Sequence, residues 1–262
     1  MGTIYARRII EDRGINDPAE IDLEDIAESL EVTIQHADLE GCDGVLQVFP
    51  DPKCGLITVR SSIKEEGQKR FTIAHELGHY EIPGQPNQDY HCGPAEISPM
   101  RHRIRPEEVA ANEFAAELLM PEKLFRTRMQ TRRPSIDWIR SLASDFQTTL
   151  TATLRRFVAF TDYRCAMVSS VDGKVEYFKP SNSFRHKIKK GVPLHPDSWA
   201  IDFFKGSRIK DKMVSVPAYA WIKSDRISKK ACIFEHSIAQ PSYNSVLTFL
   251  WISQNIDGLS SK

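Results

Sequence analysis

The sequence predicts a mixed α+β protein, with a helical N-terminal part that contains a small β-sheet and a smaller mixed C-terminal part. Three observations lead to this prediction. Segments 70–80 and 106–121 both have the apolar spacing of buried helices. Segments 41–49 and 55–59 have the residue pattern of strands. After residue 164, a hairpin pattern is followed by enough aromatic and β-branched residues to build a second core.

The first thirty residues predict two short helices. Residues 4–13 have an amphipathic pattern, and Gly14 is placed to end that helix. Asp22 can cap a second helix, Leu23–Leu30, by accepting a hydrogen bond from a backbone N–H of the first turn. We therefore expect the N-terminal part to begin with helices.

A small sheet is predicted to follow. A strand starts at Val32, and segments 41–49 and 55–59 form two more, separated by a proline-containing turn. We expect the last of these strands to be the sheet edge, because it directly precedes the helix at 70–80. An edge strand can pair with the extended backbone of a peptide.

The region between that strand and helix 70–80 has two notable features. Residues 64–69 are mostly charged and predict a solvated linker. The helix itself contains Gly78, which costs about 1 kcal/mol of helix propensity relative to alanine. A glycine at this position indicates that another element, such as a neighbouring strand, approaches the helix closely.

The segment His75-Glu76-Leu77-Gly78-His79 places two histidines four residues apart. In a helix this spacing puts both imidazoles on one face, where they can bind a single metal ion, usually zinc. Glu76 follows His75 directly, so its carboxylate lies beside such a metal and can take a proton from water. The pattern predicts His75 and His79 as metal ligands and Glu76 as the catalytic base.

A catalytic zinc usually has three protein ligands, so a third is expected from a second helix. Segment 106–121 predicts that helix, with a proline at each end. Glu108 lies on the edge of its apolar face and is our candidate for the third ligand. Asn112, one turn further on, can hydrogen-bond a histidine ligand. Glu107 and Glu113 point elsewhere, and we interpret them as solvated charges.

These two motifs carry a family resemblance. The segments Ala74-His75-Glu76-Leu77-Gly78-His79 and Glu108–Pro121 are similar to the pattern of the ImmA/IrrE metallopeptidases, which is AHELGH followed by E-x-x-A-N-x-F-A-x-x-L-L-x-P. The match is close over both motifs and looser from the N-terminus to about residue 160.

The resemblance implies a helical, zincin-like metallopeptidase domain of the gluzincin type. It implies that His75, His79 and Glu108 are zinc ligands and that Glu76 is catalytic, the same residues that spacing selects. Members of the family are regulatory proteases that cleave transcriptional repressors, typically helix-turn-helix proteins, and so induce mobile-element or DNA-damage genes. The resemblance thus implies a zinc endopeptidase that acts in transcription regulation and stress response on a protein substrate.

Two alternatives stay open at this point. The protein can instead be a non-hydrolytic, metal-stabilised regulator that binds DNA or a protein partner. The metal is also not fixed by the ligand set, since Mn²⁺ or Fe²⁺ can replace Zn²⁺ at two histidines and one glutamate.

Composition argues against several other classes. The formal net charge is zero and the pI is near neutral, so no general attraction to nucleic acid or membranes is expected. No apolar run reaches the roughly 18 residues of a membrane span, and no signal peptide opens the chain. The five cysteines form no C-x-x-C pair. We therefore expect a cytoplasmic protein that does not bind membranes.

A long loop, residues 83–105, joins the two motif helices. It contains His91, Cys92 and His102, which are possible metal ligands, although we favour ordinary loop roles because helices hold ligands more rigidly. His102, Arg103 or Arg105 can also stabilise the oxyanion that peptide hydrolysis generates.

The sequence after residue 134 predicts two further parts. Residues 135–163 predict a helix pair in which Ser135 caps the first helix. The pair resembles a helix-turn-helix, but two packing helices are favoured because the turn lacks glycine. Residues 164–262 predict a small α+β domain, a possible sensor or substrate-recognition module, that begins with a hairpin turning at Asp172-Gly173. Residues 1–134 would then form the metallopeptidase domain.

Overall fold

The computed structural model describes residues 1–84, 90–92, 105–129, 133–223, 227–228 and 230–253, with the backbone alone at 90–92. Within these residues there are eight α-helices and two β-sheets, which confirms the predicted α+β class. The chain divides into two compact units. Unit 1 contains residues 1–130 and 141–152, and unit 2 contains residues 131–140 and 153–262. The predicted domain boundaries at residues 134 and 163 remain predictions.

The helices of unit 1 surround a single core. They are α1 (Gly2–Asp12), α2 (Leu23–Ser29), α3 (Glu66–Glu81), α4 (Pro106–Leu119) and α5 (Glu122–Arg128). The first helix begins two residues earlier than predicted, and the predicted glycine stop of α1 and aspartate cap of α2 are confirmed. Gly14 follows α1 with φ of +64°, and the Asp22 carboxylate accepts a hydrogen bond from the Asp25 N–H at 3.1 Å.

The first turn of α3 corrects one prediction. Residues 64–69 do not form a linker, because α3 already begins at Glu66. The turn is held by close packing, since a Cβ on Gly67 would lie only 2.5 Å from the backbone nitrogen of Thr149. The charges of this segment are evident from the sequence. The packing of Thr149 against the buried Gly67 is not, because it depends on the tertiary fold.

The first sheet has the order β1-β3-β2-β4 and consists of β1 (Val32–Ala37), β2 (Gly44–Pro50), β3 (Lys53–Arg60) and β4 (Tyr90–Cys92). Strand β3 pairs with β1 in parallel and with β2 in antiparallel fashion. The prediction that Gly55–Val59 forms the sheet edge is therefore wrong. Among the described strands, the edges are β1 and β4.

Gly78 marks a close approach, as predicted, but the element that approaches is a helix. A Cβ at this position would lie 3.1 Å from the Ala111 Cα and from two atoms of the Phe114 side chain, all of them on α4. The element next to Gly78 is thus helix α4 and not the strand that we expected. This packing brings the two motif helices together.

Unit 2 contains a five-stranded antiparallel sheet in the order β6-β5-β9-β8-β7. Its strands are β5 (Cys165–Val171), β6 (Lys174–Pro180), β7 (Val214–Pro217), β8 (Cys232–Gln240) and β9 (Ser245–Trp251), with the short helix α8 (Ile201–Phe204). Strands β5 and β6 form the predicted hairpin. Asp172 and Gly173 have φ of +50° and +72°, as a type I′ turn requires.

The predicted helix pair is observed as α6 (Ile136–Asp145) and α7 (Leu150–Phe160). Ser135 caps α6 as predicted, because its hydroxyl accepts a hydrogen bond from the Trp138 N–H at 3.2 Å. Phe157 of α7 packs edge-on against Trp138 and against Phe249 of β9. These contacts give the helices a packing role, while DNA binding by the pair remains a prediction.

Candidate metal centre

The candidate metal centre lies where α3 and α4 pack against each other. His75 and His79 are on consecutive turns of α3, and Glu108 is in the first turn of α4. All three side chains are buried, with relative exposures of 0%, 3% and 1%. Buried polar groups of this kind need a partner, and each of the three faces the other two.

The three ligand atoms form a small triangle. His75 Nε2 and His79 Nε2 are 3.0 Å apart. Glu108 Oε2 lies 3.2 Å from His75 Nε2 and 3.4 Å from His79 Nε2. In the described part of the chain, this is the one group of three or more His, Cys, Asp or Glu side chains that converges closely enough to hold a metal ion.

The triangle fits a zinc ion. Zinc bound tetrahedrally at 2.0–2.1 Å places neighbouring ligand atoms about 3.3 Å apart, and the three measured edges are close to that value. Two imidazoles and one carboxylate are also the ligand types that catalytic zinc prefers. The residues present therefore fit a metal with three protein ligands.

The electrostatics of the centre favour metal-binding protonation states. Burial lowers the pKa of His75, and its contact with Glu108 only partly opposes that effect. Burial alone would raise the pKa of Glu108, but its hydrogen bonds to His75 and His79 hold it well below its usual range. A neutral imidazole and an ionised carboxylate are the forms that bind a metal.

Arg105 contacts the second oxygen of Glu108. Its guanidinium lies 3.3 Å from Glu108 Oε1, whereas Oε2 faces the histidines. This contact gives Arg105 a role at the ligand, beside the oxyanion role that the sequence suggested and that remains a prediction. The hydrogen bond expected from Asn112 to a histidine ligand remains a prediction.

Glu76 directly follows His75 in α3 and is fully buried. Strand β2 begins against it, since a Cβ on Gly44 would lie 2.8 Å from Glu76 Oε1. Burial raises the pKa of the Cys42 thiol, and the charge of Glu76 raises it further. Sequence reasoning missed both residues. The glycine within a predicted strand was the one available signal, since such glycines often mark a close approach.

The side chains of the remaining loop candidates lie outside the described part of the chain. His91 and Cys92 lie on β4, of which only the backbone is described, and His102 and Arg103 lie outside the described residues. Their suggested roles as ligands or oxyanion donors therefore remain predictions. Among the helices that are described, none has the length and apolar character needed to cross a membrane.

Two histidines on one helix and a glutamate on another define the class of protein as an α+β fold with a candidate metal site. The family profile of the IrrE N-terminal-like domain, peptidase M78, matches residues 27–158. That match covers half of the chain and includes all three residues of the triangle. The chain belongs to this family.

A solved structure, described as a Mycobacterium tuberculosis transcriptional regulator, shares the fold. It is 14% identical, with a TM-score of 0.55, over 95% of this chain and 76% of that one. At this identity the similarity concerns the fold alone. The sequence matches no curated protein.

Proposed function

We propose that this protein is a zinc-dependent endopeptidase of the ImmA/IrrE type that cleaves a regulatory protein, namely a transcriptional repressor of the helix-turn-helix class. The observation that carries the proposal is the buried triangle of His75, His79 and Glu108, together with the buried Glu76 that directly follows His75 in the same helix. Family membership supports the peptidase activity. The choice of a repressor as substrate rests on the family resemblance of the two motifs.

In this mechanism His75, His79 and Glu108 would hold the metal. When bound, zinc supplies a Lewis acid that polarises the peptide carbonyl and acidifies water at its open position. Glu76 accepts a proton from the attacking water as the water oxygen bonds to the carbonyl carbon. Glu76 then gives this proton to the amide nitrogen as the C–N bond breaks. Its burial excludes competing solvent from the carboxylate.

The test is the variant Glu76→Gln, which keeps the three metal-binding side chains and removes the base. We expect zinc content to stay unchanged and peptide hydrolysis to fall by at least about 100-fold. The inactive variant should also retain its substrate, so that pull-down and mass spectrometry identify the repressor. Glu66→Gln is the matched control, since Glu66 is an exposed carboxylate on the same helix.

Cleavage that survives Glu76→Gln at the wild-type rate would contradict the proposal. That outcome favours the alternative, a non-hydrolytic regulator that binds DNA or a protein through the helix pair or the C-terminal region. Changing Arg155 and Arg156 on α7 to alanine would then abolish the response, whereas the peptidase proposal expects cleavage in vitro to persist.

A further inference from the structure

The start of β2 lies directly against the base of the proposed reaction. Gly44 is buried, and a Cβ added to it would lie 2.6 Å from Thr72 Cγ2 and 2.8 Å from Glu76 Oε1. Real Cβ contacts are essentially never shorter than 3.0 Å. Every residue other than glycine at this position would therefore have to displace Thr72, Glu76 or the strand.

The residue before it fixes this part of the strand to α3. Asp43 is 1% exposed, and its carboxylate is hydrogen-bonded by Arg60 of β3 and, at 3.0 Å, by Gln68 of α3. The Asp43 carbonyl also accepts a hydrogen bond from the Arg60 N–H at 2.9 Å. These hydrogen bonds fix the start of β2 to β3 and α3. Loss of either donor would leave the buried Asp43 carboxylate poorly solvated, which is energetically costly.

The contact surface on α3 is a single row of side chains. Gln68, Thr72 and Glu76 are spaced by four residues, so they lie on one helix face. Gln68 holds Asp43, and Thr72 and Glu76 lie against Gly44. Thr72 also donates a hydrogen bond from Oγ1 to the Gln68 carbonyl at 3.1 Å, which fixes its rotamer.

We propose that Gly44 and Asp43 are positioning residues for Glu76: the strand start, anchored through Asp43, forms the wall that sets where the Glu76 carboxylate lies relative to the metal triangle. Neither residue belongs to the ligand set. This inference rests on the proposed function and adds a second group of residues to it.

The experiment uses the full-length zinc-loaded protein and a dipeptidyl hydroxamate as probe. A hydroxamate binds zinc through its two oxygens and gives its proton to a neighbouring base, so its affinity reports both zinc and Glu76 without knowledge of the substrate. We measure zinc stoichiometry and hydroxamate affinity for the wild type, Gly44→Ala, Asp43→Asn and Glu76→Gln. Gly55→Ala is the matched control, since Gly55 is a buried strand glycine whose Cβ would meet Tyr80 at 3.1 Å, away from the base.

We expect Gly44→Ala to keep its zinc and to bind the hydroxamate about 10- to 100-fold more weakly, the range that a displacement of about 1 Å in a catalytic group produces. Adding Thr72→Ser removes the Cγ2 methyl but leaves the new Cβ 2.8 Å from Glu76 Oε1, so the double variant should keep most of the loss. Asp43→Asn, which adds no atoms, should show the same loss with zinc retained. Gly55→Ala should bind as the wild type does.

The inference is overturned if Gly44→Ala and Asp43→Asn bind the hydroxamate as tightly as Gly55→Ala. It is also overturned if they lose zinc, because the strand start would then act on the ligands or on folding. If Gly44→Ala does not fold, Asp43→Asn decides the matter in the same way. A different outcome would contradict the proposed function, namely that Glu76→Gln binds the hydroxamate as tightly as the wild type does.

Discussion

Each oxygen of the Glu108 carboxylate has its own partner in this structure. Oε2 faces the two histidines and Oε1 faces Arg105, so the carboxylate presents a single oxygen to the metal triangle. The ligand residues were predictable because the i, i+4 spacing and the edge of one helix face are local properties of the sequence. The position of Gly44 in a predicted strand was a signal of close approach but did not identify α3, and Asp43 carried no signal, because its partner Gln68 is 25 residues away in sequence.

At this scale we predict that Arg105→Ala weakens zinc binding. Groups that orient a metal ligand typically contribute 10- to 100-fold to metal affinity, and Arg105 is largely exposed, so we expect about tenfold. The measurement is zinc competition with a chromogenic chelator. Arg126→Ala is the control, because Arg126 forms a comparable exposed ion pair on α5 with Glu122. Equal zinc affinity in the two variants would show that Arg105 does not contribute to metal binding.

At the scale of elements, the centre depends on the close packing of α3 on α4. Sequence showed that Gly78 requires a close neighbour but not which element it is, since a glycine carries no information about its partner. The sheet edge was mispredicted for a related reason. Strand order depends on long-range pairing, and β3 lies between β1 and β2 although it is the last of the three in sequence.

The packing of α3 on α4 gives a second prediction. Gly78→Val places a branched side chain where even a Cβ would lie 3.1 Å from α4. Helix α4 must then move, and Glu108 moves with it, so zinc affinity should fall by more than tenfold, as for loss of a supporting contact. Lys69→Val is the control, since it introduces the same β-branched residue at a partly exposed position of α3. Isothermal titration calorimetry with zinc distinguishes the two, and unchanged affinity in Gly78→Val would contradict the packing argument.

At the scale of the whole molecule, the candidate centre lies entirely within unit 1, and unit 2 has a core of its own. A ligand that binds only the folded state stabilises the part of the structure that holds it. Removal of zinc by a chelator should therefore increase amide exchange in α3 and α4 and leave β5, β8 and β9 protected. Hydrogen exchange with mass spectrometry provides the measurement. Equal loss of protection in both units would mean that they do not unfold separately.

The most direct test of the whole account is the location of the metal itself. Crystals of the zinc-loaded protein, measured above and below the zinc absorption edge, should give one strong anomalous peak. We expect this peak at about 2.0–2.2 Å from His75 Nε2, His79 Nε2 and Glu108 Oε2 together. The absence of a peak there, or a peak bound by other side chains, would contradict the metal centre and the peptidase mechanism built on it.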